Sequence, residues 1–254
     1  MGGVSVSTKG ISKCISLCIV VATVLLSGCA TTDYVEDERD PWQGFNRSMF
    51  SFNESVDKAV LKPVAQGYVA ITPEFARTGV RNFYSNLEDV SVAANNLMQG
   101  KVGNAVSDVG RFVVNTTLGI LGFFDVATPM GMRKHNEDFG QTLAVWGVGQ
   151  GPYVVWPLLG PSTVRYTPSY AVDRILLNPL TYIELKTGER IAFFAVNVVS
   201  VRAELLSLEE KVEDISTDKY VFVRDAFLDR REFLIHDGNP PVDESLYEGL
   251  DDEG

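Results

Sequence analysis

The sequence predicts a mainly α-helical protein. Apolar residues recur at three- and four-residue intervals in segments such as Trp42 to Val60 and Ile191 to Ile215, which is the period of a helix with one apolar face. Strand signals are few, and a small β-hairpin is expected only near residues 146–156. Two uncharged stretches that contain glycine, Phe112 to Phe124 and Phe139 to Val164, follow neither pattern.

The first 28 residues resemble the export signal of a bacterial lipoprotein. Lys9 and Lys13 precede an apolar run, Ile15 to Leu26, that is too short to span a membrane. The run ends in Leu26-Ser27-Gly28-Cys29, which resembles the lipobox, where the signal is removed and the cysteine becomes the acylated first residue. We therefore predict lipid attachment at Cys29, and Ala30 after it argues for release to the outer membrane.

Cysteine content and net charge limit what the remaining chain can be. Cys14 and Cys18 lie within the signal, so no intramolecular disulfide can form in the mature chain. The net charge of −11 becomes −13 once the two signal lysines are removed. This charge argues against nucleic acid as a partner and against electrostatic binding to anionic lipid headgroups.

The chain divides into four parts by composition. Residues 1–28 are the predicted signal peptide, and residues 29–39 form a polar, acylated tether. Residues 40–236 are expected to form a single helical domain, which is long enough to have a core of its own. Residues 237–254 form an acidic tail that is expected to be disordered.

The first helix is predicted to begin at Asp40, with Pro41 at its first helical position, and to end at Pro63. Its apolar stripe is unusually aromatic. The stripe consists of Trp42, Phe45, Met49, Phe52, Val56 and Val60. It either packs into the core or lies in the membrane interface beside the anchor, and core packing is favoured.

Three helices are predicted in the middle of the chain. Thr72-Pro73-Glu74 begins a short helix, and Leu87 to Leu97 forms the next one, which stops at Gly100. A further helix from Val102 to Val113 continues into the first uncharged stretch.

Three more helices are predicted after the second uncharged stretch. Tyr170 to Leu177 is short, and an amphipathic helix extends from Glu189 to Ile215. The last helix spans Asp218 to His236 and is followed by a segment rich in glycine and proline, Asp237 to Pro241. Its predicted core side chains are Tyr220, Val223, Phe227 and Leu234.

The sequence offers little for catalysis. His135, with Glu137 and Asp138, could hold a metal or act as an acid and base, but no second histidine or cysteine completes such a site, and a polar turn is favoured. Ser162 and Thr163 are expected in a turn. No nucleophile elbow, phosphate loop or dinucleotide fingerprint is present. We predict no enzyme, no cofactor and no metal.

The second uncharged stretch suggests a lipid-handling protein. It contains 26 residues between Asp138 and Arg165, but glycines and prolines interrupt it too often for a spanning helix. It is either a buried loop and strand pair or the wall of an apolar passage. A protein that moves a diacyl lipid must shelter its tails, because exposing about 30 methylenes to water costs roughly 20 kcal/mol.

Several ordered motifs resemble the MlaA (VacJ) family of outer-membrane phospholipid-transport lipoproteins. They cover about residues 40–165 and continue more weakly through the last helix. The matching motifs are Asp40-Pro41-Trp42-Gln43-Gly44-Phe45-Asn46-Arg47, Gly79-Val80-Arg81-Asn82-Phe83, Arg111 to Gly119, Glu137 to Leu143, Gly147-Val148-Gly149, Gly151-Pro152-Tyr153 and Leu158 to Ser162. Tyr166 departs from the family, which often has Asp after the arginine.

The resemblance implies a fold and a function. It implies a ring-like helical bundle around a central amphipathic channel, lying in the inner leaflet of the bacterial outer membrane, lipid-anchored on its periplasmic face. Family members associate with a trimeric porin and pass phospholipid from the outer leaflet to a periplasmic phospholipid carrier protein. Residues 40–236 would then be a lipid-channel domain.

We assign the channel lining to the two uncharged stretches, with the headgroup passing Asn115, Thr116 and Gln141. The candidate lining residues are Phe112, Asn115, Thr116, Leu118, Gly119, Gly122, Phe123, Phe139, Gly140, Gln141, Leu143, Trp146, Gly147, Gly149, Gly151, Tyr153, Trp156 and Gly160. Two alternatives remain: a structural lipoprotein that docks on a porin, and a lipid-modifying enzyme that uses His135.

Overall fold

A computed structural model describes residues 37–213 and 218–241 of the 254-residue chain. These residues are mostly helical and include one two-stranded sheet, so the predicted mainly α class is confirmed. The elements in chain order are α1 (Gln43–Val56), α2 (Lys62–Ile71), α3 (Glu74–Met98), α4 (Val102–Thr117), α5 (Phe139–Val145), β1 (Tyr153–Trp156), β2 (Gly160–Thr163), α6 (Ser169–Ala171), α7 (Thr187–Glu213) and α8 (Lys219–Ile235). The signal peptide, Cys29 and the acidic tail from residue 242 lie outside the described residues.

The first helix does not end at Pro63 as predicted. A π-helical turn, Asp57–Leu61, joins α1 to α2, and Pro63 lies in the first turn of α2. Proline has no backbone N–H to donate to a carbonyl of the preceding turn. The wider π-helical turn accommodates the hydrogen bond that is missing at Pro63. A similar π-helical turn, Val172–Leu176, follows α6.

Asp40 is not the N-cap of α1, because the helix begins at Gln43. The Asp40 carboxylate is instead buried and accepts hydrogen bonds from Asn46 Nδ2, at 2.7 Å, and from the Tyr220 hydroxyl. It therefore joins the start of the domain to α8.

The two helices predicted between Thr72 and Gly100 form one continuous 25-residue helix, α3. The predicted stop at Gly100 is confirmed, since this residue has a φ of +81° and directly precedes α4. The last helix also begins as predicted, with the Asp218 side chain accepting from the amides of Tyr220 and Val221.

The predicted hairpin is present, but its second strand follows β1. Strand β1 pairs antiparallel with β2, from Tyr153 opposite Thr163 to Trp156 opposite Gly160. Residues 147–151 stay irregular, whereas Leu158, with a φ of +62°, and Gly160, at +84°, complete a short loop between the strands. Ser162 and Thr163 are therefore in a buried strand, not in a turn.

Two asparagines of α1 bind the free edge of β1. Asn46 donates to the carbonyl of Tyr153, at 3.0 Å, and accepts from the amide of Val155, at 2.8 Å. Asn53 donates to the carbonyl of Trp156, at 3.0 Å, and accepts from the amide of Leu158, at 2.7 Å. The spacings match, because seven helical residues and three strand residues each span about 10 Å.

A small apolar core lies between the hairpin and α8. The buried side chains of Tyr153, Val155, Tyr220 and Leu228 form its centre. Of the four core positions predicted on α8, Tyr220 is fully buried, whereas Val223, Phe227 and Leu234 are half-buried.

Candidate functional site

The interface between α3 and α4 is polar. Asn96 of α3 donates to the Asp108 carboxylate of α4 at 2.8 Å, and both side chains are fully buried. Asp89 of α3 lies 3.6 Å from Arg111 Nε and 2.5 Å from Lys134 Nζ. Burial raises the pKa of Asp89 despite the opposing charge of Lys134. Hydrogen bonds and ion pairs thus hold this part of the fold together.

The outer faces of the helices are apolar, the reverse of an ordinary globular domain. On α4, the exposed apolar residues are Val102, Val106, Val109 and Val113, spaced three or four apart. On α7, the apolar stripe of the predicted amphipathic helix also faces outward at Ile191, Phe194, Val201 and Leu205. The helical period was predicted correctly, but the face that the fold buries on α4 is the polar one. Exposed apolar surface of this extent marks an interface with a partner or a membrane.

The aromatic stripe of α1 is also largely exposed. Trp42, Phe45, Phe52 and Val60 are each more than a third exposed. This exposure favours the membrane-interface interpretation of the stripe over core packing.

The first uncharged stretch ends in a strained loop, residues 118–124. Ile120 and Leu121 have φ values of +54° and +56°, a conformation that β-branched and other bulky residues rarely adopt. Backbone bonds hold the loop, including those from the amide of Leu121 to the Thr116 carbonyl and from the amide of Gly122 to the Asn115 carbonyl. The strain turns the side chains of Ile120 and Leu121 outward, where both are about two-thirds exposed.

This loop forms one side of an apolar groove of about 530 Å³. Helix α3 provides the floor, and α7 provides the opposite side. The lining residues are Val80, Phe83, Tyr84, Ile120, Leu121, Phe123, Glu189, Ala192, Phe193 and Val196. The Tyr84 hydroxyl donates to the Phe193 carbonyl at 2.7 Å, which fixes α7 against α3 and consumes the groove's one phenol donor. The groove is therefore suited to an acyl chain.

The predicted lining residues of the first stretch have mainly structural positions. Phe123 lines the groove, and its ring packs on Gly79. Asn115 is buried and bonds to Asp125 and to the amides of residues 126 and 127. Thr116 bonds to Asn86. Gly119 and Gly122 are buried in the turn, Leu118 is exposed, and Phe112 is half-buried.

The second stretch lies at the other end of α3. Thr142 Oγ1 donates to Asn95 at 2.8 Å, and Trp146 Nε1 donates to the Met98 carbonyl at 3.2 Å. Asn86, which contacts the first stretch, precedes Asn95 by nine residues, or about 14 Å of helix. The two stretches therefore contact α3 at different levels and do not form a single surface there.

Predicted lining residues of the second stretch are partly buried and partly exposed. Gln141 is buried and bonds to the Asn136 carbonyl and to Asp138, so it is not free for a headgroup. The buried or half-buried members are Phe139, Gly140, Gln141, Leu143, Tyr153, Trp156 and Gly160. Trp146, Gly147, Gly149 and Gly151 are exposed. These four are the most exposed of the predicted lining residues in this stretch.

The three side chains of the histidine cluster have separate partners within the protein. His135 Nδ1 lies 2.7 Å from Asp108, whereas Glu137 binds Lys101 and Asp138 caps α5 and pairs with Arg231. Within residues 37–213 and 218–241, no group of three metal-ligating side chains was found. In the same residues, no helix is both long enough and apolar enough to cross a bilayer.

Comparison with known proteins identifies the family. The family model described as MlaA lipoprotein matches residues 38–234. The chain belongs to the MlaA lipoprotein family. The chain is 35% identical to the "Intermembrane phospholipid transport system lipoprotein MlaA" of Escherichia coli K12, over 87% of this chain and 88% of that protein. It is 36% identical to an uncharacterized protein of Rickettsia typhi, over 76% of each chain.

A solved structure shares the fold. Its subject is "Structural basis for maintenance of bacterial outer membrane lipid asymmetry", and the match has a TM-score of 0.68 at 35% identity. The match covers 77% of this chain and 98% of the other. The helical elements described above are thus those of an MlaA-family protein.

The sequence did not predict that α7 forms one side of the groove. Ala192, Phe193 and Val196 lie in a continuous apolar run, so their identity alone does not distinguish them from core positions. The polar residues of α3 give a usable signal, because Asn82, Asn86, Asp89 and Asn96 recur at helical spacing. This row of polar residues predicts that α3 buries a polar face. An apolar outer surface of the helices follows from it.

Proposed function

We propose that this protein is an outer-membrane-anchored component of phospholipid transport. It removes mislocalised phospholipid from the outer leaflet and passes it through the amphipathic channel of a helical ring to a periplasmic carrier protein, which maintains lipid asymmetry. The names of its relatives and of the structural neighbour support transport and lipid asymmetry. The porin, the carrier and the periplasmic face are our proposals from the family resemblance.

The observation that carries this proposal is the inverted distribution of polarity. Apolar side chains on α4, α7 and the loop 118–124 are exposed, while Asp89, Asp108 and Arg111 are buried. Contact with acyl chains stabilises such a surface, because it removes the apolar area of the protein from water. The groove beside loop 118–124 offers a place for one acyl chain while the molecule itself lies among lipids.

A matched pair of substitutions on α7 tests the role of the groove. Ala192 lines the groove, whereas Ala195 is also an exposed alanine on the same helix but does not line it. In a strain that lacks the native gene, Ala192→Trp is expected to raise the outer-leaflet phospholipid to the level of the deletion, and Ala195→Trp is not. Equal outer-leaflet phospholipid in both variants, at equal protein levels, would contradict the role of the groove.

The structural-lipoprotein alternative predicts a different purified sample. Phospholipid that co-purifies with the chain, detected by mass spectrometry, supports transport. A chain that is free of lipid but still retains a porin supports the scaffold. The enzyme alternative rests on His135, and full function of His135→Ala would remove it.

A further inference from the structure

The loop between α5 and β1 presents backbone amides without acceptors. Within the part of the chain that the structure describes, the amides of Gly149, Gln150 and Gly151 donate to no acceptor. Three carbonyls of the same loop are engaged: Val148 accepts from Arg165 Nη1, Gln150 from the amide of Arg165, and Pro152 from the amide of Val164. Successive free amides in an irregular loop form a common anion-binding arrangement.

Arg165 adds a positive charge directly beside this loop. Its Nη1 donates to the Val148 carbonyl at 2.9 Å, and no carboxylate of the described residues lies within 4 Å of its guanidinium. The nearby Arg231 is already neutralised, since it pairs with Asp138 through two contacts of 2.8 Å. The guanidinium of Arg165 therefore keeps N–H donors and a positive charge that no carboxylate among the described residues neutralises.

The electrostatic surroundings of Arg165 favour an anion. Burial and the charge of Arg231 lower the pKa of Arg165, so its cation is less stable here than in water. Asp138 and Glu232 only partly offset this effect. The next residue, Tyr166, is neutral, and burial raises its pKa to about 12. An incoming anion would relieve the unpaired charge.

Apolar side chains flank the same loop. Trp146, Val148 and Val164 are all about half exposed. Gly147 and Gly149 leave open space, because a Cβ on either would meet no atom within 4 Å. An anion bound at the loop would thus have apolar surface within reach of any attached hydrocarbon.

We propose that Arg165 and the amides of Gly149, Gln150 and Gly151 form a binding site for the phosphate of a phospholipid headgroup. The acyl chains leave this site over Trp146, Val148 and Val164. Guanidinium and phosphate suit each other because two parallel N–H donors match two phosphate oxygens. The site deepens the proposed function and rests on it, since it presumes that the chain handles phospholipid. Inorganic phosphate offers the same headgroup chemistry without the tails.

The test measures binding of two probes to the full chain held in amphipol. Dihexanoylphosphatidylglycerol and inorganic phosphate are titrated separately by calorimetry. Arg165→Gln is expected to weaken lipid binding about tenfold, since one hydrogen-bonded charge is lost. Arg133→Gln is the matched control, because Arg133 is exposed and has no ion pair among the described residues. It should bind the lipid like the parent chain.

A second pair of variants avoids the packing of Arg165. Gly149→Asp and Gly149→Asn have the same shape and enter open space, but only the aspartate repels phosphate. Gly149→Asp is expected to bind the lipid about tenfold more weakly than Gly149→Asn.

The outcomes separate the two proposals. Equal lipid affinities for Arg165→Gln and the parent, or for the two Gly149 variants, would overturn the headgroup site and leave the proposed transport function intact. Inorganic phosphate that binds as tightly as the lipid would overturn the phospholipid as the ligand. A parent chain that binds no phospholipid, by titration or by co-purification, would overturn the transport function as well.

Discussion

Gly119 is the position at which the chain leaves α4, and no side chain fits there. A Cβ would lie 2.1 Å from the Phe124 carbonyl oxygen and 2.5 Å from that of Asn115. Both atoms belong to the backbone and cannot move away cheaply. Gly119→Ala is therefore expected to lower the free energy of unfolding by about 2–3 kcal/mol.

Gly110, within α4, is the control for this substitution. A Cβ there would meet only Met132 Sδ, at 3.9 Å. Gly110→Ala is expected to raise the free energy of unfolding by about 0.5–1 kcal/mol, because glycine is unfavourable inside a helix. Urea denaturation of both variants measures the difference, and two variants of equal stability would contradict the steric explanation.

Asp37 makes the stability of the domain depend on acidic pH. Hydrogen bonds from the Arg39 side chain, at 2.8 and 3.0 Å, hold the pKa of Asp37 at about 2, below its usual 3.8. The unfolded carboxyl takes up its proton first as the pH falls. The contribution of Asp37 is thus complete above about pH 4 and is lost as the pH falls towards 2.

In Asp37→Asn, the free energy of unfolding is expected to fall less steeply between pH 4 and 2 than in the parent chain. At neutral pH, the same substitution is expected to lower the free energy of unfolding by about 1–2 kcal/mol. Thermal unfolding followed by circular dichroism across this range measures both effects. Glu38→Gln is the control, because the adjacent carboxylate is exposed and has no partner among the described residues. An Asp37→Asn profile as steep as that of Glu38→Gln would refute the assignment.

At the scale of elements, Asn46 is the buried one of the two asparagines that attach α1 to β1. Asn46→Ala leaves the Tyr153 carbonyl and the Val155 amide buried without partners and also removes a bond to Asp40. The expected loss is about 3 kcal/mol in the free energy of unfolding. Asn104→Ala, a half-buried asparagine of α4 without a hydrogen bond among the described residues, should change stability little. Similar losses for both would argue against this attachment.

Local signals predicted the helices well. The period of α4, α7 and α8, the stop at Gly100 and the Asp218 cap of α8 each depend on a few consecutive residues, so the sequence contains the relevant information. Pro63 was misjudged because a π-helical turn, which has no clear sequence signal, compensates for it. The partner of β1 was misplaced because both neighbouring segments are rich in glycine, and only the loop after Trp156 closes a hairpin.

The site was predicted less completely than the helices. The groove joins Val80 and Phe123 to Phe193, which is more than 60 residues further along the chain, and no local pattern reports that proximity. The uncharged stretches did identify loop 118–124 and the loop between α5 and β1. They did not reveal that Asn115 and Gln141 use their polar atoms within the protein.

For the molecule as a whole, the apolar exterior predicts membrane binding without the anchor. In a Cys29→Ser background, which removes the proposed acylation, the chain should still float with phospholipid vesicles. Val106→Glu places a charge on the outer face of α4 without touching the buried polar interface, since Val106 is about two-thirds exposed. It is expected to reduce the floated fraction severalfold with little change in helicity.

Ser107→Glu is the matched control, one residue away and outside the valine stripe. A floated fraction that falls equally in both variants would show that added negative charge alone is responsible. Unchanged flotation of Val106→Glu would mean that the α4 face does not contact lipid.

The buried polar interface between α3 and α4 also determines how stability varies with temperature. The heat capacity of unfolding rises with newly exposed apolar area and falls with newly exposed polar area. A domain that buries Asn96, Asp108 and Arg111 while its valines are already outside gains little apolar exposure on unfolding. Its heat-capacity increment should fall below the usual value of about 12–15 cal/mol/K per residue. The stability curve should then be broad and flat, with little loss of stability in the cold.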